Sequence, residues 1–262
     1  MKFPIPILLY HAFGNQSSSS IGGLDLFSSH LDWLSHNGWR SLTLTEYEAA
    51  CAGSHDAGSR RFLITFDDNS PLLGQYASEM KVRGFSGTAF LITGKFEFPE
   101  AGWLSFDAAA ELVRNGTLEV CSHTHRHVAV GSRPEEPEAL RADLQNSRVF
   151  LSERLGVAAG SLRHLAWPWG RCTADMEAMA DSLGFRWQYQ ARRGTVTHCN
   201  RTLRLPRFVA DDLSGSRFAR MMNLYGSRLG SLVMNTGLDY GRSCRNLLLT
   251  RKTKPCAGIS CR

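Results

Sequence analysis

Residues 62–68, FLITFDD, decide the fold that we predict for this chain. Five residues without charge, four of them apolar, predict a buried strand, and two carboxylates, Asp67 and Asp68, follow it directly. Burying adjacent carboxylates without partners is expensive, so a strand that ends on such a pair predicts a functional site there. A role in capping the next helix is disfavoured, because Ser70 and Pro71 already form a typical helix start.

Strand-like runs alternate with helical patterns on both sides of this stretch. The other short apolar runs lie at 5–10, 88–92, 118–121, 164–167, 185–189 and 203–209. Between most of these runs, apolar residues recur at the spacing of a helix. Strand-then-helix order predicts parallel strands with helices outside, and the lack of a nucleotide-binding glycine fingerprint favours a barrel over an open sheet. We therefore predict an α/β fold, a distorted (β/α) barrel of about seven parallel strands with outer helices.

Composition and charge suit one large domain. The chain has 262 residues, 43% of them hydrophobic and 21% charged, which excludes a disordered chain or a disulfide mini-protein. Its net charge of +6 is carried by the segment 241–262, which contains six basic residues and no acid. The balanced remainder gives no reason to expect a nucleic-acid partner. We predict a barrel domain over 1–240 and a loose, basic, cysteine-containing tail over 241–262.

The sequence contains no obvious targeting or membrane segment. No apolar run approaches the roughly 18 residues of a membrane span, and residues 1–11 include two prolines and no signal-peptide core. The seven cysteines form no CxxC pair. We expect a cytoplasmic protein without a membrane span.

Polar clusters follow the predicted strands at four places. They are Tyr10–His11, Asp67–Asp68, the stretch 123–127 and the stretch 168–170. In a (β/α) barrel the carboxyl ends of the strands converge on one face, where barrel enzymes place their active sites. The four clusters therefore predict one shared site.

The stretch 123–127, HTHRH, predicts a metal site. His123 and His127 are four residues apart, which places both imidazoles on one side of a helical turn. On a strand His125 would share their face, so spacing alone leaves His125 open as a ligand. Two imidazoles and one carboxylate leave open coordination positions, which is typical of a catalytic metal.

Two motifs carry a resemblance to a known family. TFDD at 65–68 and HTHRH at 123–127, which fits H-[ST]-x-x-H, stand about 55 residues apart. Over about residues 5–210 the chain resembles the polysaccharide deacetylases of the NodB-homology type, carbohydrate esterase family 4. LLYH at 8–11 and AWPWG at 166–170 are similar to the branch that deacetylates poly-β-1,6-N-acetylglucosamine.

The resemblance implies roles for individual residues. Asp68, His123 and His127 would hold one divalent metal, expected to be zinc, with cobalt or nickel as alternatives. Asp67 would be the general base, and the backbone N–H of Trp169 would stabilise the tetrahedral oxyanion.

The chain also departs from the family pattern. AWPW at 166–169 replaces the usual Arg-x-Pro-Tyr, so we expect the arginine that orients the base to be absent. The late Leu-x-His motif is missing too, so we assign the general acid to His11, with His198 as the alternative. Asn69 stands where the family usually has glycine.

Aromatic residues near the motifs are candidate sugar contacts. Trp103, Trp167 and Trp169 could offer flat apolar faces to a sugar ring, and Trp103, Trp167 and Pro168 are predicted to bind substrate.

Together these features predict a metal-dependent hydrolase that removes N-acetyl groups from an amino sugar in a glycan or glycan precursor. One alternative is a catalytically silent carbohydrate-binding relative that lost the orienting arginine. Another is an iron oxygenase, which also uses two histidines and one carboxylate.

Overall fold

The computed structural model describes residues 4–11, 23–53, 59–116, 118–127, 137–192, 194–196 and 204–235. The tail 241–262 and His198 lie outside these residues. The strands of the described part are β1 Ile7–Tyr10, β2 Arg40–Ser41, β3 Arg61–Asp67, β4 Gly87–Leu91, β5 Leu118–Ser122, β6 His164–Ala166, β7 Trp187–Ala191 and β8 Arg204–Val209.

Helices follow most of these strands along the chain. They are α1 Gly23–His36, α2 Leu44–Ala52, α3 Leu73–Val82, α4 Phe106–Asn115, α5 Pro137–Val149, α6 Ala174–Ser182 and α7 Gly215–Gly226. None of the helices in the described residues is long and apolar enough to cross a bilayer.

The strands form a closed barrel. The order is β1-β8-β7-β6-β5-β4-β3, and β1 also pairs in parallel with β3, which joins the two ends of the sheet. Seven parallel strands make the ring, and the two-residue β2 pairs in parallel with the first two residues of β3. The predicted distorted (β/α) barrel is confirmed.

Each barrel strand turns alternate side chains inward. One buried apolar residue from each of the seven strands contributes to a single inner cluster, namely Ile7, Leu63, Phe90, Cys121, Ala166, Tyr189 and Leu205. Helix α2 adds Leu44, Tyr47 and Ala50 to this cluster. The backbone N–H of Leu44 donates to Glu119, near the start of β5, so α2 closes the amino-terminal end of the barrel. The opposite, carboxyl-terminal face stays available for polar groups.

The outward residues of the strands pack against the helices. Phe66 of β3 lies between Phe27 of α1 and Tyr76 of α3, with ring centroids 5.7 Å away in both cases. Burying an aromatic side chain of this size stabilises the fold by about 1.5–3 kcal/mol. This packing fixes β3, and with it the carboxylates at its end.

The start of α3 differs from the prediction. The helix begins at Leu73, and Ser70 Oγ accepts from the backbone N–H of Leu72 in the preceding turn instead of capping the helix. Residues 68–72 therefore remain a turn, which leaves Asp68 outside regular structure.

Candidate active site

The alternation of the strands explains which polar side chains enter the barrel mouth. Asp67 lies four residues beyond the inward Leu63, and Arg207 lies two beyond the inward Leu205. His123 similarly follows Cys121, also by two residues. Because successive side chains point to opposite faces, all of these polar groups point inward at the carboxyl-terminal face.

Asp67 is held by a buried arginine. Arg207 Nη1 donates to Asp67 Oδ1 and Arg207 Nη2 to Oδ2, each at 2.6 Å. Arg207 is fully buried and Asp67 is 4% exposed. Thr65 Oγ1, which donates to the carbonyl of Leu8, also accepts from Arg207 Nη1 at 3.2 Å. Such a bidentate pair fixes both the charge and the plane of the carboxylate.

The expectation that the orienting arginine is absent is therefore wrong. The guanidinium comes from β8 and not from the stretch 166–169 where the family motif would place it. The signal in the sequence was an arginine at an inward position between the apolar residues Pro206 and Phe208 of β8, which is unfavourable unless a carboxylate faces it.

Asp68, His123 and His127 come together as a candidate metal site. One ligand atom from each residue lies within 4.8 Å of the others. His123 Nε2 is 3.6 Å and His127 Nε2 is 3.4 Å from Asp68 Oδ1. His123 Nδ1 is 2.8 Å from the carbonyl of Ala166, and because a carbonyl only accepts, Nδ1 carries the proton and Nε2 presents its lone pair.

The donor set fits a divalent cation. Asp68 Oδ1 is buried and has no hydrogen-bond donor among the described residues, although it points at two imidazole nitrogens. An unsatisfied buried carboxylate oxygen is costly, and a cation bound by this oxygen and the two nitrogens would satisfy it.

The surroundings shift the pKa of the two adjacent carboxylates, Asp67 and Asp68, in opposite directions. Burial tends to raise the pKa of Asp67, but the charge and hydrogen bonds of Arg207, together with His123, lower it. Burial raises the pKa of Asp68, and the charge of Asp67 adds to this against the opposing effect of His123. Burial also lowers the pKa of His123 and His127, which favours the neutral imidazoles that metal binding requires.

Asp143 of α5 shapes the loop that carries the histidines. Its Oδ2 accepts from the backbone N–H of His125 at 3.0 Å, and its Oδ1 accepts from that of Arg126 at 2.9 Å. Within the loop, Thr124 Oγ1 accepts from the backbone N–H of His127. Asp143 is 5% exposed, so these bonds are sheltered from water. The sequence analysis missed this residue, which lies 16 positions beyond His127 on a separate helix.

His125 has different contacts from His123 and His127. Its Nδ1 is 2.9 Å from Thr93 Oγ1 and its Nε2 is 3.5 Å from Glu97 Oε2. It is not a member of the candidate metal group. Of the three histidines that the spacing left open, His123 and His127 are the two that meet Asp68 in the structure.

His11 lies at the same face and pairs with Asp211. His11 Nδ1 is 2.8 Å from Asp211 Oδ2, and its backbone N–H donates to Asp211 Oδ1 at 2.9 Å. Burial tends to lower the pKa of His11, but the hydrogen bond and charge of Asp211, aided by Asp67 and Asp68, raise it. A raised pKa suits a proton donor. Asp211, two residues beyond β8, was missed by the sequence analysis.

The aromatic candidates differ strongly in exposure. Trp169 is 66% exposed, and its ring centroid is 5.7 Å from that of His127. Trp103 is partly buried, with Lys95 Nζ 4.4 Å from its ring centroid.

Trp167 and Pro168 are corrections to the predicted substrate contacts. Trp167 is 1% exposed, packs in an apolar cluster and donates from Nε1 to Gln188 Oε1. Pro168 is buried as well and begins the short turn that carries Trp169. Both residues lie beneath the exposed Trp169, whose left-handed backbone, with φ of 58°, interrupts the chain direction after them.

Asn69 ties two strand ends together. Its Nδ2 donates to the carbonyl of Ile92, and its Oδ1 accepts from the backbone N–H of the same residue. The carbonyl of Asn69 accepts from Leu104 N–H. A glycine could form only the last of these bonds, so Asn69 fixes the turn after β3 against the end of β4.

Backbone strain is concentrated at the site. Of the five non-glycine residues with positive φ in the described part of the chain, four lie here, namely Asp68, Thr124, His127 and Trp169. Such conformations are unfavourable for most residues and persist where their surroundings enforce them, often at functional sites.

Comparisons with known proteins show the family to which this chain is similar. The family model for polysaccharide deacetylase matches residues 54–187, just over half of the chain. YxkH of Bacillus subtilis, a protein assigned to the polysaccharide deacetylases, is 25% identical over 217 residues, which cover 82% of this chain and 74% of that protein.

Two solved structures share the fold over most of the chain. The deacetylase PplD of Streptococcus pyogenes, solved in complex with acetate, has a TM-score of 0.74 at 22% identity and covers 85% of this chain and 99% of its own. IcaB of Ammonifex degensii has a TM-score of 0.74 at 22% identity, and the match covers 86% of this chain and 98% of the IcaB chain.

Proposed function

Because the chain belongs to the polysaccharide deacetylase family, we propose that it is a metal-dependent N-deacetylase acting on an amino sugar in a glycan or glycan precursor. The observation that carries the proposal is the pairing of Asp67 with Arg207 beside the three-residue group of Asp68, His123 and His127. One carboxylate is thereby available for proton transfer while its neighbour is available for ligation. Hydrolysis of an acetamide needs both functions.

One divalent cation would be held by Asp68, His123 and His127, and we propose zinc, with cobalt or nickel as alternatives. When bound, the cation would polarise the acetamide carbonyl and lower the pKa of a coordinated water. A hydrogen bond behind the candidate metal site supports this assignment, since the Nδ1–H of His123 donates to the carbonyl of Ala166 and fixes the ring.

The chain's own residues would move the protons. Asp67 takes a proton from the attacking water, whose oxygen forms a bond to the acetyl carbon. The backbone N–H of Trp169 hydrogen-bonds the oxyanion of the tetrahedral intermediate. His11, oriented by Asp211, donates a proton to the sugar nitrogen as the carbon–nitrogen bond breaks, so acetate and a free amine leave.

The Arg207–Asp67 pair also bears on the catalytically silent alternative. The silent alternative assumed that the arginine orienting the base is lost, but Arg207 of β8 holds Asp67 by two hydrogen bonds. The cytoplasmic location expected from the sequence stays a prediction.

The test is acetate release from a panel of N-acetylated oligosaccharides with zinc, cobalt or nickel. Asp67→Asn should keep the metal and lose about 100-fold or more in kcat, the range of a lost general base. Asp68→Asn and His123→Ala should lose the metal itself, measured by elemental analysis.

His125→Ala is the matched control, because it removes an imidazole from the same loop but not from the candidate metal group. It should retain the metal. Equal metal loss in the Asp67 and Asp68 variants, or unchanged metal in His123→Ala, would overturn the assignment. No acetate release from any metal and sugar combination would overturn the proposed activity.

A further inference from the structure

A groove beside the candidate active site is lined by arginines whose side chains have no partner among the described residues. It lies between the ends of β7 and β8 and helix α7, with a cavity volume of about 450 Å³. Arg192, Arg217 and Arg220 line it, together with apolar side chains such as Val209 and Met221. We call this feature the arginine groove. Its size is within the range of small-ligand sites.

The three arginines have no partners in the described part of the chain. Arg217 and Arg220 are exposed on one face of α7, three residues apart, and neither makes a side-chain hydrogen bond or ion pair with another described residue. Arg192 is partly buried, and its Nε is a buried donor without an acceptor. No carboxylate is among the described residues that line the groove. Three arginines whose side chains have no partner among the described residues therefore line one cavity.

The groove adjoins the candidate active site. Ala191 lines the groove and touches Gly170 so closely that a Cβ built on Gly170 would lie 2.4 Å from the Cβ of Ala191. Gly170 follows Trp169, the exposed tryptophan beside His127. Arg207, which holds Asp67 inside the barrel, also lines the groove. A ligand long enough to lie across Trp169 would thus reach the arginines.

The chemistry of the groove favours phosphate. The planar guanidinium donates pairs of hydrogen bonds that match phosphate oxygens, and several arginines together neutralise a phosphate better than they would a neutral sugar. Acidic and basic residues are balanced over 1–240, so the cluster of arginines at the groove does not follow from an overall positive charge of that region.

We propose that the arginine groove binds a phosphate group carried by the acetylated glycan substrate, as a phosphate ester or a phosphodiester linkage next to the amino sugar. This inference rests on the proposed function, since it takes the substrate of that site to extend into the groove. It identifies the substrate class as a phosphorylated N-acetylamino sugar or a glycan containing one.

The kinetic test compares N-acetylglucosamine oligosaccharides of one length with and without a phosphate ester, placed at the reducing end or on the sugar 6-position. The double variant Arg217→Gln/Arg220→Gln should lower kcat/KM for one phosphorylated substrate by about tenfold per arginine, through KM. With the neutral substrate it should change less than about twofold. Arg192→Gln should act in the same direction.

Arg114→Gln is the control, because it removes an exposed arginine from α4, away from the groove. It should leave both substrates unaffected. Equal kinetics for phosphorylated and neutral substrates in the unaltered protein, or equal losses on both in the double variant, would overturn the inference. Preference for a carboxylate-bearing sugar over the phosphorylated one would overturn the assignment to phosphate, and equally strong competition by a single-stranded oligonucleotide would overturn the assignment to a glycan.

A binding measurement separates this inference from the proposed function. Glucosamine 1-phosphate and glucosamine, which carry no acetyl group, are titrated into the metal-loaded protein by calorimetry. Tighter binding of the phosphorylated sugar that is lost in the double variant supports the groove even if no acetate is ever released. Equal binding of the two sugars contradicts the groove whatever the activity.

Discussion

Arg207 and Asp67 are joined by two parallel hydrogen bonds of 2.6 Å although they lie 140 residues apart in the chain. One comes from the third strand and the other from the eighth, and both are buried from solvent. The pair therefore joins the beginning and the end of the barrel at the point where catalysis is proposed. The ionised state of Asp67 therefore depends on β8, which lies far outside the TFDD motif at 65–68.

Replacing Arg207 should damage both catalysis and folding. Arg207→Lys keeps a charge but not the planar pair of donors, so we expect kcat to fall by about tenfold or more while the protein still folds. Arg207→Ala leaves Asp67 buried without its partner, and the free energy of unfolding should fall by about 3–5 kcal/mol. Kinetics and urea unfolding measure the two effects.

Arg204→Lys serves as control, since Arg204 is on the same strand and pairs with Glu177 away from the site. Equal effects of the two lysine substitutions on kcat would show that the geometry of the Arg207 pair is unimportant.

The partner of His11 should set the alkaline side of the pH profile. Asp211 raises the pKa of His11, which keeps the imidazole protonated to higher pH. Asp211→Asn retains an acceptor but removes the charge, so the pKa should fall and the alkaline decline in kcat should begin at lower pH. The stability that the pair contributes is present at low pH and lost as the pH rises through the folded-state pKa of His11.

Asp212→Asn tests whether the effect belongs to this pair, because Asp212 is an exposed neighbour on the same turn. Its profile should match that of the unaltered protein. An alkaline limb that does not move in Asp211→Asn would remove His11 from the role of general acid.

Asp143 should control metal affinity without touching the metal. Asp143→Ala leaves the backbone N–H groups of His125 and Arg126 without their acceptor and loosens the loop between His123 and His127. Losing support of this kind costs about 10–100-fold in metal affinity. Competition with a chelator gives the affinity, and Glu138→Gln on the same helix is the control. Unchanged affinity in Asp143→Ala would mean that the loop holds its shape alone.

His30 should make the fold sensitive to mild acid. It stacks on Phe218 with ring centroids 3.9 Å apart, and its Nε2 is 2.6 Å from the carbonyl of Leu213. Burial lowers the pKa of His30 to about 4, against smaller opposing effects of Leu213 and Asp211. Between about pH 6.5 and 4, His30 therefore binds a proton in the unfolded chain but not in the folded protein. The free energy of unfolding consequently falls as the pH falls.

The size of this effect can be measured by urea unfolding at pH 7.5 and 5. His30 should account for a loss of about 2 kcal/mol between these two values. His30→Gln should flatten the dependence by that amount, whereas the exposed His36→Gln should leave it unchanged. An identical slope in both variants would contradict the prediction.

Local sequence patterns predicted the parts of the site that are local. Asp67 and Asp68 follow one strand and His123 and His127 share one loop, so their spacing in the chain reflects their spacing in the molecule. Arg207, Asp211 and Asp143 were missed because each reaches the site through barrel closure or helix packing, which short motifs do not encode.

The spacing of the tryptophans in the sequence also could not predict which of them is buried. Trp167 and Trp169 are two residues apart and both follow a strand, yet one is in the core and the other is exposed. The difference arises from the left-handed backbone at Trp169, with φ of 58°. The role of His198 and the nature of the 241–262 tail stay predictions.

The positive φ angles at Asp68, Thr124, His127 and Trp169 have a consequence for engineering. Glycine adopts this conformation without a Cβ penalty of about 1–2 kcal/mol, so a search for thermostable variants would favour glycine at these four positions. Each such substitution would remove a side chain from the candidate metal group, from the loop between its histidines, or from the exposed position 169 beside them. A screen that measures melting temperature alone would therefore favour substitutions at the residues on which the proposed activity depends most.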